Sequence, residues 1–225
     1  MEKRFDVIEE YPNTVSNTIS KTYFLMFLGL IATGITAAYS YSSGLFGILL
    51  LNKGYIYLIF AEVICVLLFS ILFHKLPYTV VELLFFSYAI LNGLTLSTIF
   101  AAFSLRSLTI IFFSSAILFG IFALLGYNSK VDLSKISTIL LGALIIGLIV
   151  SGINMVFGNS IIDIEISLVM IFVFFGITAY DMQRIKNMSK YDNIDDKLYV
   201  YMAMEIYLDF INIFLRILEI FGRRK

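Results

Sequence analysis

The sequence predicts an all-α integral membrane protein with seven transmembrane helices. Hydrophobic residues make up 60% of the 225 residues and charged residues only 14%, whereas soluble domains are about 45–50% apolar. The mean hydropathy is +0.94. The apolar runs are continuous and about 20 residues long, the length of a membrane-spanning helix, while strands of a membrane barrel would alternate apolar and polar residues.

Seven segments are long and apolar enough to span a bilayer. They are residues 22–42, 55–74, 79–103, 107–126, 134–157, 161–182 and 197–221. Only His74 to Pro77 separate the second segment from the third, which predicts a tight helical hairpin. The break after the first segment is the least defined, because "GLFGILLL" is itself apolar. We assign residues 1–21 to a cytoplasmic N-terminal tail without a signal peptide, and residues 22–225 to a single seven-helix domain.

The distribution of Lys and Arg predicts that the N-terminus is cytoplasmic. The side that carries the N-terminal tail holds ten basic residues in or next to its loops, and the opposite side holds five; cytoplasmic loops are enriched in basic residues. The basic C-terminus would then lie outside, and an even helix count with a re-entrant last segment stays open. Short loops fit a multi-pass protein of the cytoplasmic membrane, with a eukaryotic internal membrane as the alternative.

Composition argues against several classes of function. The formal net charge is zero, which gives no basic surface for nucleic acid. A single cysteine, Cys65, cannot form an intramolecular disulfide or a cysteine-based zinc site. A single histidine, His74, does not suffice for a histidine metal site or an intramembrane Ser–His hydrolase. We therefore expect no enzyme activity and no cofactor.

Four acidic residues lie inside predicted helices, where an ionised group costs about 2.5–3.5 kcal/mol on insertion scales. They are Glu62, Asp181, Glu205 and Asp209. Nothing near Glu62 in sequence can neutralise it, so its partner must come from another helix. Asp181 ends the sixth segment, where an interfacial position is the simpler interpretation.

The last helix carries a polar stripe. Glu205, Asp209, Asn212, Arg216 and Glu219 follow a helical spacing that places them on one face. Arg216 can pair with Glu219, whereas burial and the like charge of Glu205 disfavour an ionised Asp209. The stripe predicts a helix inside the bundle, either lining a cavity or simply locked by a polar network.

The segments "AYDMQRIK" and "EIYLDFINIFLRIL", together with the order of seven hydrophobic segments, resemble the Bax inhibitor-1 family in its bacterial branch. The resemblance implies six helices wrapped around a central C-terminal helix. It also implies a pH-sensitive calcium leak in which Asp181 and Asp209 form the proton sensor. The two can meet only if the sixth helix continues past Asp181 or the last helix begins with an extra turn.

The resemblance also assigns supporting residues. It makes Glu62 an ion-contacting carboxylate, and we add Glu205 as a second candidate for the ion pathway. Contacts to Ca²⁺ are expected from Asp181, Asp209 and Glu62. Relatives pair the aspartates with an arginine near the end of the second helix, which this chain lacks.

His74 or Lys75 could replace that arginine, and Asn212 and Arg216 would support the gate. Calcium ions, protons and the bilayer are the expected partners. Two other functions stay open at this point. One is a proton/cation antiporter that uses the same acids, and the other is a membrane regulator that conducts no ions.

Overall fold

The computed structural model describes residues 6–52, 54–190 and 195–223, which contain eight helices. They are α1 (Asp6–Ser42), α2 (Leu45–Leu51), α3 (Gly54–Leu72), α4 (Tyr78–Ala102), α5 (Leu105–Asn128), α6 (Ser134–Phe157), α7 (Ser160–Met188) and α8 (Asp196–Phe221). Seven of them, all except α2, are long and apolar enough to cross a membrane. The predicted class, an all-α protein with seven membrane-spanning helices, is confirmed.

Helix bounds differ from the predicted segments mainly where polar residues are helical. Helix α1 begins at Asp6 and its apolar span at Val15, so the helix starts well before residue 22. Helix α7 ends at Met188 because Met, Gln, Arg and Lys are good helix formers even though they end the apolar run. Whether residues 1–21 are a cytoplasmic tail stays a prediction.

The apolar break after α1 contains a separate short helix, α2. Gly44 precedes it with φ of 77°, a left-handed backbone conformation that costs glycine little. Seven residues extend only about 10 Å, too short to cross a bilayer. The uncertain boundary in the sequence therefore corresponds to a turn and a helical step between α1 and α3.

The chain divides into two compact units. The first contains α1 to α4 and α8 up to Tyr207. In this unit α1 and α4 approach closely: a Cβ at Gly93 of α4 would lie 2.6 Å from the backbone oxygen of Thr33 in α1. The predicted hairpin of α3 and α4 is confirmed, and the Cys65 thiol of α3 lies 3.5 Å from the backbone oxygen of Leu84.

The second unit contains α5 to α7 and α8 from Leu208. Helices α5 and α7 run in the same direction, because Phe122 stacks on Phe175 at 4.0 Å and Gly126 meets Ala179 one turn later. The approach at Gly126 is so close that a Cβ there would lie 2.0 Å from the Ala179 oxygen.

Helix α8 runs opposite to α5 within this unit. Phe119 of α5 packs edge-on against Phe210 of α8, and the Ser107 hydroxyl, earlier in α5, accepts a hydrogen bond from the Arg223 amide after α8. Helix α8 is therefore antiparallel to α7. Among the seven spans α8 has the largest buried share, 61% of its most apolar window, while the arrangement of six helices around it stays a prediction.

Candidate functional site

Glu62 of α3 is held by neutral donors from α4. Its carboxylate accepts hydrogen bonds from the Thr95 hydroxyl and, at 3.5 Å, from the Asn92 amide. Thr95 and Asn92 lie one turn apart on α4, so both reach the same carboxylate. The prediction that the partner of Glu62 comes from another helix is confirmed.

The hydrogen bonds continue from Asn92 into the middle of the first unit. The Tyr207 hydroxyl of α8 lies 3.2 Å from Asn92 Oδ1 and 2.6 Å from the Thr33 hydroxyl of α1. Thr33 also reaches the Ala89 carbonyl oxygen at 2.9 Å. Tyr207 is fully buried. We call Glu62, Thr95, Asn92, Tyr207 and Thr33 the Glu62 network; it joins α1, α3, α4 and α8.

Sequence reasoning missed four of these five residues. Asn92 and Thr95 are uncharged, and "AILNGLTLST" is apolar enough that they did not interrupt the third predicted helix. Tyr207 and Thr33 are ordinary residues in membrane helices. The available signal was Glu62 itself, since a carboxylate in an apolar helix requires polar groups on its neighbours.

Asp181 and Asp209 both belong to the second unit and are deeply buried. Asp181 of α7 is 7% exposed and Asp209 of α8 is 4% exposed. Helix α7 continues about two turns beyond Asp181. This continuation is one of the two conditions under which Asp181 and Asp209 were predicted to be able to meet, and it is confirmed. An interfacial position for Asp181 is disfavoured by its burial.

The depths of the two aspartates follow from one contact between α7 and α8. Ser167 contacts Arg216 and Glu219. From this point Asp181 lies about 21 Å along α7 and Asp209 about 10–15 Å along α8, in the same direction. Counting along α5 gives a larger offset, so the two carboxyl groups are between about one and two turns apart in depth. Their pairing stays a prediction.

The polar stripe of α8 is the less buried face of that helix. Glu205, Asn212 and Arg216 are half-buried and Glu219 is more exposed, whereas Asp209 and the apolar faces are buried. Arg216 and Glu219 form the predicted ion pair at 3.1 Å. Whether the stripe lines a cavity or is locked by a polar network stays a prediction.

Two residues of "AYDMQRIK" hold α7 to the end of α5 and to the loop between α5 and α6. The Gln183 amide donates to the Val131 oxygen at 2.7 Å and accepts from the Leu133 amide at 2.9 Å. The Lys186 ammonium donates to the Tyr127 oxygen at 2.6 Å. Asp181 precedes this clamp directly, so its backbone position is fixed by the loop contacts that follow it.

The proposed substitutes for the family arginine lie at the surface. His74 and Lys75 are exposed in the turn between α3 and α4. Glu205 is half-buried and belongs to the first unit. The roles predicted for these three residues, and for Asn212, which donates to the Leu208 oxygen of its own helix at 2.8 Å, stay predictions.

No group of three or more His, Cys, Asp and Glu side chains among the described residues is arranged to hold a metal ion. The Ca²⁺ contacts expected of Asp181, Asp209 and Glu62 stay predictions. Calcium here is the predicted transported ion rather than a resident cofactor.

Known proteins resemble the chain over nearly its whole length. A family profile described as "Inhibitor of apoptosis-promoting Bax1" matches residues 15–225. An inner membrane protein of Escherichia coli, YbhL, is 34% identical over 229 residues, covering 99% of this chain and 98% of YbhL. A Rickettsia prowazekii protein is 32% identical over 91% of this chain and 89% of its own length. This chain, with seven helices long and apolar enough to cross a membrane, therefore belongs to the Bax inhibitor-1 family.

Proposed function

We propose that this protein is a pH-regulated leak pathway for Ca²⁺, gated by a proton shared between Asp181 and Asp209. The observation that carries the proposal is the burial of both carboxyl groups, 7% and 4% exposed, on two antiparallel helices of one unit. Ionisable residues inside membrane helices face the bundle interior or a water-filled cavity, and such positions mark ion and proton pathways.

The physical basis of the gate is the cost of two charges in one apolar region. Two nearby carboxylates cannot both ionise cheaply, so they bind a proton between them. A second proton, or the loss of the first, changes the preferred separation of α7 and α8. The clamp at Gln183 and Lys186 holds α7 to the loop before α6, so α8 is the helix that we expect to move.

The oxygen-bearing side chains of the proposed pathway suit Ca²⁺. Ca²⁺ prefers oxygen ligands, and carboxylates with hydroxyl and amide oxygens supply them. Conduction also requires weak binding, so that an ion entering the pathway can leave it. Glu62, with the Thr95 hydroxyl beside it, offers such oxygen atoms in the first unit.

The test is flux through purified protein in liposomes that contain a calcium-sensitive dye, measured across pH. We expect flux above that of empty liposomes, with a pH dependence that is lost or shifted in Asp181→Asn and in Asp209→Asn. Asp132→Asn is the matched control, because Asp132 is a fully exposed aspartate in the loop before α6.

Three outcomes would contradict the proposal. Flux with an unchanged pH profile in both variants would remove the aspartate pair from the gate. Calcium flux coupled to proton movement at a fixed ratio would identify an antiporter instead. Flux no greater than in empty liposomes at every pH would favour the regulator that conducts no ions.

A further inference from the structure

The Tyr207 hydroxyl has one proton and two acceptors. Its oxygen lies 2.6 Å from the Thr33 hydroxyl and 3.2 Å from Asn92 Oδ1. A hydroxyl donates only one hydrogen bond. Thr33 is in a similar position, because Tyr207, the Ala89 oxygen at 2.9 Å and the Gly29 oxygen of its own helix at 3.0 Å all lie within reach of its single proton.

The 2.6 Å contact between the two hydroxyls requires a proton between them, which leaves two arrangements. In the first, Thr33 donates to Tyr207, and Tyr207 donates to Asn92 Oδ1. In the second, Tyr207 donates to Thr33, and Thr33 donates to the Ala89 or the Gly29 oxygen, so that Asn92 Oδ1 loses its donor. Only the first arrangement fixes the orientation of the Asn92 amide.

The orientation of Asn92 decides which form of Glu62 the network stabilises. With Oδ1 facing Tyr207, the amide nitrogen faces Glu62 and donates to it at 3.5 Å. This arrangement stabilises the ionised carboxylate, which can only accept. With the amide reversed, Oδ1 would face Glu62, and only a protonated carboxyl group could donate to it.

The remaining described surroundings of Glu62 contain neutral groups. Thr95 donates to it from α4. Tyr88 of α4, Tyr207 of α8 and Cys65 of its own helix are the titratable groups that interact with it electrostatically. Each of these is neutral in its protonated form, so hydrogen-bond orientation is the property that distinguishes ionised from protonated Glu62 here.

We propose that Tyr207 is a positioning residue that holds the Asn92 amide toward Glu62 and so favours the ionised, cation-binding form of Glu62. Thr33 opposes it by competing for the Tyr207 proton. The role of Glu62 in conduction rests on the proposed function above. The chain of hydrogen bonds from Tyr207 through Asn92 to Glu62, which we call the relay, does not rest on it. The relay can be measured without any transport.

The experiment is an infrared titration of the Glu62 carboxyl band in protein reconstituted in lipid. The band is identified by its loss in Glu62→Gln. Because Tyr207→Phe frees the Asn92 amide, we expect Glu62 to take up its proton at a pH higher by about half a unit or more, given the usual strength of a hydrogen bond to a charged group. Thr33→Val removes the competing acceptor, and we expect a shift of opposite sign.

Two controls separate the relay from a merely structural effect. Tyr55→Phe makes the same chemical change and removes a hydrogen bond between α3 and α4, from Tyr55 to Ser97 at 3.0 Å; it leaves the Glu62 titration unchanged. Thr33→Ser keeps the hydroxyl, so it too leaves the Glu62 titration unchanged. If Tyr207→Phe does not fold, the Thr33 pair still tests the sign of the shift.

The relay is overturned if Tyr207→Phe leaves the titration where it is, or if Tyr207→Phe and Thr33→Val shift it in the same direction. Flux measured on the same variants then tests the proposed function independently. An infrared shift of the expected sign without calcium flux would retain the relay and reject the leak pathway.

Discussion

The two units of this protein accommodate acidic residues in different ways. In the first, Glu62 is half-buried and its hydrogen bonds come from neutral side chains on α4. In the second, Asp181 and Asp209 are more deeply buried, and the hydrogen-bonded cluster on α7 and α8 contains an ion pair between Arg216 and Glu219. The comparison shows two ways to accommodate a carboxyl group in a membrane helix: neutral hydrogen-bond donors on a neighbouring helix, and an opposite charge on the same helix.

The largest expected effect concerns the packing that fixes the second unit. Gly126→Ala would place a Cβ 2.0 Å from the backbone oxygen of Ala179. No side-chain rotation relieves a clash with backbone, so we expect a loss of stability of about 3 kcal/mol or more. Thermal unfolding in detergent measures it. Gly120→Ala, also in α5, meets no atom within 4 Å and should be neutral or stabilising; equal losses in both variants would contradict the close approach of α5 and α7.

The next effect concerns the neutral donors of the first unit. Thr95→Val removes the hydroxyl that donates to Glu62, and a hydrogen bond to a charged group contributes about 1.5–3 kcal/mol. We expect that loss at a pH where Glu62 is ionised and a smaller loss where it is protonated, because the protonated group needs the donor less. Thr98→Val is the control, since Thr98 donates to the Thr95 oxygen of its own helix. A loss independent of pH would assign Thr95 to packing alone.

A smaller effect is expected at the loop clamp of the second unit. Gln183→Ala removes the bonds to Val131 and Leu133, at a cost of about 1–2 kcal/mol. Limited proteolysis should then cut the loop at residues 129–133 faster. Asn128→Ala provides the comparison, because the Asn128 amide is exposed and bonds only the Leu124 oxygen of its own helix among the described contacts. Unchanged cleavage in Gln183→Ala would show that α6 holds the loop by itself.

The smallest effect lies outside the membrane-spanning helices. Hydrogen bonds from Ser134 lower the pKa of Asp132 below its ordinary value of 3.8. A lowered pKa stabilises the fold above the ordinary value, and that contribution disappears as the pH falls through the folded pKa. Asp132→Asn should therefore lower the stability slightly at neutral pH, have no effect below the folded pKa of Asp132, and so slightly flatten the acid dependence of unfolding below about pH 4. A loss of the same size in strong acid as at neutral pH would contradict this.

Hydropathy predicted the fold because each span is a long apolar run, and the family resemblance added the prediction that Asp181 and Asp209 form a pair. The predicted start of the first segment and the predicted end of the sixth segment were wrong for one reason. Hydropathy measures burial in lipid, whereas helix formation continues through polar residues such as those from Gln183 to Met188. The sequence predicted that Glu62 needs a partner from another helix, but it did not identify that partner. Asn92 and Tyr207 are far apart in sequence and carry no charge, so only the packing of α4 and α8 reveals their bond.

Helix α8 carries Tyr207 in one unit and Asp209 in the other, two residues apart in a single continuous helix. One helix therefore supplies a residue to each of the two proposals. The infrared titration of Glu62 should accordingly be repeated on Asp209→Asn, and the flux assay on Tyr207→Phe, so that an effect at either residue is read in both assays.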